Sequence, residues 1–538
     1  MKEEAILLTD GYKLDHRRQY PEGTEYVYSN WTPRSCTYFP EASEGVVVFG
    51  IQYFIKEYLM TQFREEFFNL PKERAVNTFK RRIDTFLGEG NQVGTKHIEE
   101  LYDLGYLPIR IKALPEGTLC PIRVPALTFI NTDPRFFWLT NYFETLISTT
   151  LWLPMTSATS ARLYKKELKR HAEKTGFSKD VMLEFLCHDF SMRGMAGVEA
   201  AIMSGMAHMT SFVGSETIPA IGALERYYNA NAEKELIAAT VPATEHSVMC
   251  AGGKEDEFET FKRLITEVYP KGFVSIVSDT WDFWQVMTNY LPRLKDTILA
   301  RDGRVVIRPD SGDPVDIICG INPANCIEVD GKYYYFKDSG YSNWVEDVLV
   351  DTIKEYPDRY EHYLVTETQL KGAYELLWDI FGGTVNEKGY KVLDAHIGMI
   401  YGDSITLERQ KEIYRRLEEK GFAATNLVLG VGSFTYQYKS RDSLGFAMKA
   451  TWCQVNGEPR EIFKQPKTDN GTKNSLKGLI KVIKFEAKFP KLVYLGAVDQ
   501  VSKEEEETGE LKTVFENGVL VKDWTLEEIR RNVDETIH

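Results

Sequence analysis

Between about residues 150 and 440 the chain repeats one local pattern: a helix-periodic stretch, a short apolar run, then a loop opening on Gly, Ser or Asp. The run Phe273–Val277 ends at Ser278-Asp279, and the run closed by Arg308 leads into Pro309-Asp310-Ser311-Gly312-Asp313. Two later runs end at Gly402-Asp403 and at Gly432-Ser433. Helical periodicity fills the intervals, as in Asp256–Pro270, in Trp281–Ala300 around Pro292, and in Thr406–Lys420 before Gly421. Short apolar strands joined by helices pair in parallel, because each crossover returns the chain to the same end of the sheet. The pattern predicts an α/β fold, with the parallel sheet either closed as a barrel or doubly wound.

The ends of the chain read differently. Residues 107–130 and the chain beyond Gly445 alternate short strand patterns with turn signals such as Asn456-Gly457. They predict an antiparallel, β-rich domain assembled from both termini. The expected division is 1–150 as an N-terminal α+β part, 151–444 as the α/β barrel, and 445–538 as a C-terminal β-rich part packed against the first. Residues 317–390 break the rhythm and read as an insertion in the barrel.

Composition narrows the partners. With 65 basic and 79 acidic residues the formal charge is -14, a field that repels nucleic acid, so a polyanionic ligand needs a locally built cationic site. Seven cysteines, odd in number and never spaced as C-x-x-C, fit free thiols in a reducing compartment. The first residues carry acids where a leader peptide carries bases, and no apolar run reaches about 18 residues. The expectation is a cytoplasmic protein that engages neither membrane nor nucleic acid.

In parallel β/α folds ligands bind at the carboxyl ends of the strands, where loops converge and helix N-termini offer free N–H groups. The four loops named above carry small residues that let backbone approach phosphate, and carboxylates suited to sugar hydroxyls or to Mg²⁺ held through water. Each alone reads equally as turn and N-cap chemistry; four in succession suit a sugar-phosphate ligand. Arg308 ends an apolar strand, where a guanidinium needs an anion or else a barrel carboxylate. Glu245-His246 is a carboxylate–imidazole pair adjacent in sequence, for which a buried, satisfied histidine is the default reading. The sequence contains no HExxH, P-loop or G-x-S-x-G elbow.

These loops belong to a longer ordered set: TDGYKLDHRRQYP from Thr9, KALPEG from Lys112, NTDP-x3-WLTNYFET from Asn131, HDFSMRG from His188, VPATEHS from Val241, VSDTWD from Val277, IRPDSGDP from Ile307, YGD from Tyr401 and FKQPKTDNGTKNSLKG from Phe463. In order and extent the set resembles the nicotinamide phosphoribosyltransferase family. The resemblance implies a type II phosphoribosyltransferase fold, an irregular TIM-like α/β barrel with a β-rich domain, working as a homodimer with shared active sites. It implies nicotinamide and 5-phosphoribosyl-1-diphosphate as substrates, Mg²⁺ as cofactor and ATP as a coupled substrate.

Position by position, the resemblance makes Phe190 and a partner-supplied Tyr12 the rings that sandwich nicotinamide, with Arg193, Glu216 and Arg308 around the base. Gly402, Asp403, Gly432, Ser433 and Arg441 match positions holding ribose and its 5'-phosphate. Arg34, Arg193, His246, Arg308, Lys449, Lys464 and Lys473 match the diphosphate cradle. His246 matches the histidine phosphorylated by ATP, and Asp279 and Asp310 lie near the ribose or the metal-bound diphosphate; no protein ligand of the metal is assigned. The family typically carries Asp where this chain has Glu216, a carboxylate that still accepts from an amide and repels nicotinic acid. The alternatives are a nicotinate phosphoribosyltransferase and a non-catalytic nucleotide sensor on the same barrel.

Overall fold

The computed structural model describes residues 4–178, 181–336, 346–463, 476–488 and 491–537. Two sheets organise the chain. In sequence order their strands are β1 (Thr24–Thr32), β2 (Ile109–Ala113), β3 (Leu127–Asn131), β4 (Cys187–Asp189), β5 (Gly214–Ser215), β6 (Val274–Val277), β7 (Val305–Arg308), β8 (Ile397–Tyr401), β9 (Leu427–Val431), β10 (Ala447–Val455), β11 (Glu458–Glu461), β12 (Lys512–Glu516) and β13 (Val519–Leu520).

The first sheet is antiparallel in the order β11-β10-β1-β3-β2-β12-β13, so strands from both ends of the chain interleave, as the terminal patterns predict. The second is wholly parallel in the order β5-β4-β9-β8-β7-β6. Its two edges are β5 and β6, and the segment 239–244 bridges both: Gly214 pairs with Ala239 and Ala243 pairs with Ser275, each in parallel. The sheet therefore curls into an irregular barrel rather than an open doubly wound sheet. Strands this short and this apolar suit that role, since both faces are covered.

Helix α1 (Glu144–Thr175) runs on for 32 residues with Pro154 inside it. It packs on α2 (Val198–His208), on the helix Leu407–Glu419 and on β10, joining the barrel to the β-rich part through one continuous core. Within 317–390, the segment around Val329, Tyr334, Leu349 and Ile353 has a small core of its own. Ala373, Tyr374, Leu377 and Phe381 of the helix Glu367–Phe381 instead pack into the main core. Every described cysteine is a free thiol. Among the described residues, no helix is long and apolar enough to cross a membrane.

Candidate active site

A cavity of about 1190 Å³ runs into the barrel, lined by strand residues and by the loops at their carboxyl ends. Strand alternation decides which side chains reach it. Arg304, Val306 and Arg308 of the β7 region line it, as do Phe273 and Ser275 at β6, while Val274 and Ile276, which alternate with them, are buried in the core.

Phe190 follows β4 and forms part of the wall. Its N–H donates to Val431 O at 2.9 Å, and its ring lies against Gly430 and Gly402. A Cβ on Gly430 would fall 2.3 Å from the ring, and one on Gly402 2.9 Å, so both glycines make room for an aromatic wall. The next turn places Arg193 at the cavity and brings Gly194 against Ser433, whose Oγ would lie 2.1 Å from a Cβ there.

Arg308 is largely covered, with 13% of its side chain exposed. One Nη donates to Thr244 O at 2.6 Å and the other stands 3.8 Å from Asp310 Oδ2. Its Nε is buried with no hydrogen-bond partner, and Ser275 Oγ is likewise buried and partnerless. The barrel carboxylate considered from sequence is therefore Asp310, in the arginine's own loop, and it satisfies only part of the guanidinium.

Glu216 lies at the rim. Its carboxyl pKa is held below the usual 4.5, first by the hydrogen bond from His188 and, against burial, by Thr240 and the charge of Arg308. Burial raises the Tyr401 phenol, and the carboxylates of Asp403, Asp279, Asp310 and Asp313 raise it further. These four acids thus share one neighbourhood at the strand ends.

For His246 the default of a buried histidine fails. Glu245 and His246 open a short helix (His246–Ala251), and the imidazole is 49% exposed, with Nε2 3.2 Å from Asp279 Oδ1. The helix start turns the side chain out of the barrel wall, where a strand would have turned it in or out by alternation.

The expected site residues thus fall into two groups. Phe190, Arg193, Glu216, Arg308, Asp310, Gly402, Asp403, Gly432 and Ser433 line the cavity, with the His246–Asp279 pair beside it through Glu245 and Thr244. Tyr12, Arg34, Arg441 and Lys449 do not line it. Tyr12 is 62% exposed, its ring edge-on to His16. Burial and the neighbouring Arg441 lower the pKa of Arg34; partial burial, Arg34, Arg441 and Lys13 lower that of Lys449, against Glu144. Arg34 and Lys449 both stand within the field of Arg441, a gathering of cations suited to an anion. Lys464 and Lys473 lie outside the described residues.

Sequence reasoning passed over Ser275, His188 and Thr240. Ser275 had a signal, a polar residue alternating inside an apolar strand. His188 opens the HDFSMRG motif but was given no role, and Thr240 had no signal; what each does depends on where Glu216 stands.

Residues 185–519 match the nicotinate phosphoribosyltransferase (NAPRTase) family, and residues 4–111 match the nicotinamide phosphoribosyltransferase N-terminal domain. The chain is 49% identical to a nicotinamide phosphoribosyltransferase of Acinetobacter baylyi, covering 98% of this chain and 96% of that one. It is 34% identical to one of Mycoplasma pneumoniae (88% and 94% covered) and 30% identical to one of Xanthomonas campestris (99% and 98%). Among solved structures it is similar in fold to a nicotinate-nucleotide pyrophosphorylase of Pyrococcus furiosus, with a TM-score of 0.53, 15% identity and coverage of 99% and 96%. The human nicotinic acid phosphoribosyltransferase gives a TM-score of 0.52 at 14% identity, with 98% and 93% covered.

Proposed function

Because the chain belongs to the nicotinamide phosphoribosyltransferase family, an enzyme family of nicotinamide salvage, we propose that its barrel cavity joins the ring nitrogen of nicotinamide to C1 of 5-phosphoribosyl-1-diphosphate. The products are nicotinamide mononucleotide and diphosphate. The observation that carries this reading is the lining of the cavity, which includes an aromatic face, Phe190, a carboxylate, Glu216, and a buried hydroxyl without a partner, Ser275. A pyridine carboxamide meets all three, stacking on the ring, donating its N–H₂ to the carboxylate and accepting the hydroxyl proton at its carbonyl.

The reaction needs no general base, since the attacking pyridine nitrogen carries no proton. Stacking and the two amide contacts hold that nitrogen about 3 Å from the anomeric carbon, so attack becomes effectively unimolecular. Arg193 and Arg308 face the charge that grows on departing diphosphate, and the partnerless Nε of Arg308 is a donor in waiting. Gly402, Asp403, Gly432 and Ser433 hold the ribose and its phosphate.

Asp279, Asp310, Asp313 and Asp403 bear together on Tyr401, yet no described group of three or more ligating side chains forms a cage. That suits Mg²⁺ carried by the diphosphate and touched by one or two carboxylates, Asp310 and Asp279, through water. Bound there, the ion would neutralise leaving-group charge.

Two further elements extend the reading. A second copy of the chain supplies Tyr12 to the other face of the base and Arg34, Arg441 and Lys449 to the phosphates, which accounts for cations and an exposed ring gathered away from their own cavity. His246 takes the γ-phosphoryl group of ATP on a ring nitrogen, releasing ADP, and water later removes it as phosphate.

The test is a competition of nicotinamide with nicotinic acid in the presence of 5-phosphoribosyl-1-diphosphate, with mononucleotides separated by chromatography and diphosphate assayed. Nicotinamide mononucleotide with equimolar diphosphate is the expected result. Preference for nicotinic acid overturns the substrate, and binding without diphosphate release overturns the enzyme.

A further inference from the structure

Glu216 is anchored at both ends. Its backbone N–H donates to Asp189 O at 2.9 Å. The carboxylate of Asp189, wholly buried, accepts from Ser191 N at 2.9 Å, Thr217 Oγ1 at 2.7 Å and Ser215 Oγ at 3.4 Å. One residue at the end of β4 therefore ties the turn carrying Phe190 to the turn carrying Glu216. The preceding residue, His188, projects to the other face of the strand and meets the Glu216 side chain: its Nε2 lies 3.2 Å from Oε1. The hydroxyl of Thr240, in the segment that bridges the barrel edges, donates to the same Oε1.

His188 is 3% exposed and its Nδ1 is buried without a partner. Nε2 is the ring nitrogen that faces Glu216, so it is the one that donates to the carboxylate.

We infer that His188 and Thr240 are positioning residues that set base selectivity: together they draw Glu216 back by Oε1, taking up the methylene by which glutamate exceeds aspartate, and leave Oε2 to receive the carboxamide N–H₂. This rests on the nicotinamide reading above. Full negative charge on a carboxylate held in one place rejects nicotinic acid; the same carboxylate released from its two donors swings and discriminates less. The shorter aspartate at 216 cannot keep both donors, so in this chain it is the poorer residue.

The experiment measures kcat and KM for nicotinamide and for nicotinic acid in the full-length enzyme and its variants. Thr240→Val removes one donor at equal volume. A hydrogen bond to a charged group is worth about tenfold or more, so the expected result is a nicotinamide KM raised about tenfold with kcat little changed. The nicotinamide-to-nicotinic acid ratio of kcat/KM narrows by a similar factor. Thr240→Ser, which keeps the hydroxyl, restores the ratio, and in a Glu216→Ala background, which has no acceptor left, Thr240→Val leaves it unmoved. Glu216→Asp, which keeps the charge, also narrows the ratio and serves if the valine variant fails to fold. A parental ratio in Thr240→Val, the same shift in the Glu216→Ala background, or an unchanged or widened ratio in Glu216→Asp each overturns the inference. Preference of the parent enzyme for nicotinic acid would overturn the substrate assignment instead, since the shift between variants still reads the two donors.

Discussion

The Nε2 of His246 stands 3.2 Å from Oδ1 of Asp279, a half-exposed imidazole facing a carboxylate that is 5% exposed. The two residues are 33 apart in sequence and meet because the helix that opens at His246 begins just after the segment bridging to β6. Donation from Nε2 to Asp279 leaves Nδ1 as the ring nitrogen available to an incoming phosphoryl group.

His246→Ala is expected to abolish ATP hydrolysis coupled to turnover while weakening nicotinamide binding much less. Asp279→Asn, which no longer favours that tautomer, should slow phosphoryl transfer from ATP by about tenfold or more. Radiolabel incorporation from γ-labelled ATP and ADP release check both. Unchanged ATP hydrolysis in His246→Ala removes the phosphohistidine from the scheme.

Gly430→Ala puts a methyl group 2.3 Å from the Phe190 ring, whereas Gly402→Ala puts one at 2.9 Å. Both displace the aromatic wall, the first more severely. The nicotinamide KM should rise at least about tenfold in Gly430→Ala, the scale of misplacing a bound group in a tight site. The rise in Gly402→Ala should be smaller unless loss of ribose contacts adds to it. Steady-state kinetics with saturating 5-phosphoribosyl-1-diphosphate separates these cases.

If two copies share each site, Tyr12→Ala and Phe190→Ala act on opposite sides of one base. Each variant alone should lose most activity. Mixed after subunit exchange, half of the dimers pair the two variants, and each such dimer regains one intact site, so activity returns to about a quarter of the parent. Recovery near zero argues that Tyr12 serves its own cavity or none.

The acid limb of stability should depend on Glu167. Burial pushes its carboxyl up, but hydrogen bonds from His171 and Arg170 on the same helix overcome this and hold the pKa at about 2. A folded pKa below the unfolded one gives stability that is present above about 4.5 and lost as pH falls toward 2. Glu167→Gln should therefore destabilise the protein at pH 6–7 and converge with the parent near pH 2, as read by urea unfolding across pH.

The local pattern of the chain determined a great deal. Apolar runs ending in Gly, Ser or Asp and separated by helical stretches require parallel strands, and parallel strands collect their loops at one end. That placed Asp310, Gly402, Asp403, Gly432 and Ser433 at a site before any coordinates, and alternation alone would have added Ser275. It also marked residues 107–130 and the chain beyond Gly445 as strand-forming, although not β1, which lies between β10 and β3.

Only the tertiary structure decided the pairings. The local pattern alone left open whether the sheet closes, and residues 239–244 close it by bridging β5 and β6, in keeping with the barrel that the resemblance implies. That His188 meets Glu216 across 28 residues, that His246 meets Asp279, and that Arg34, Arg441 and Lys449 gather apart from Arg308 all follow from parallel register and from the route of the connecting helices. Register is a property of strands far apart in the chain, and a hydrogen bond tolerates only a few tenths of an ångström, so no local spacing encodes it. The sequence specified which residue types stand at the loop ends; the barrel's closure specified which of them touch.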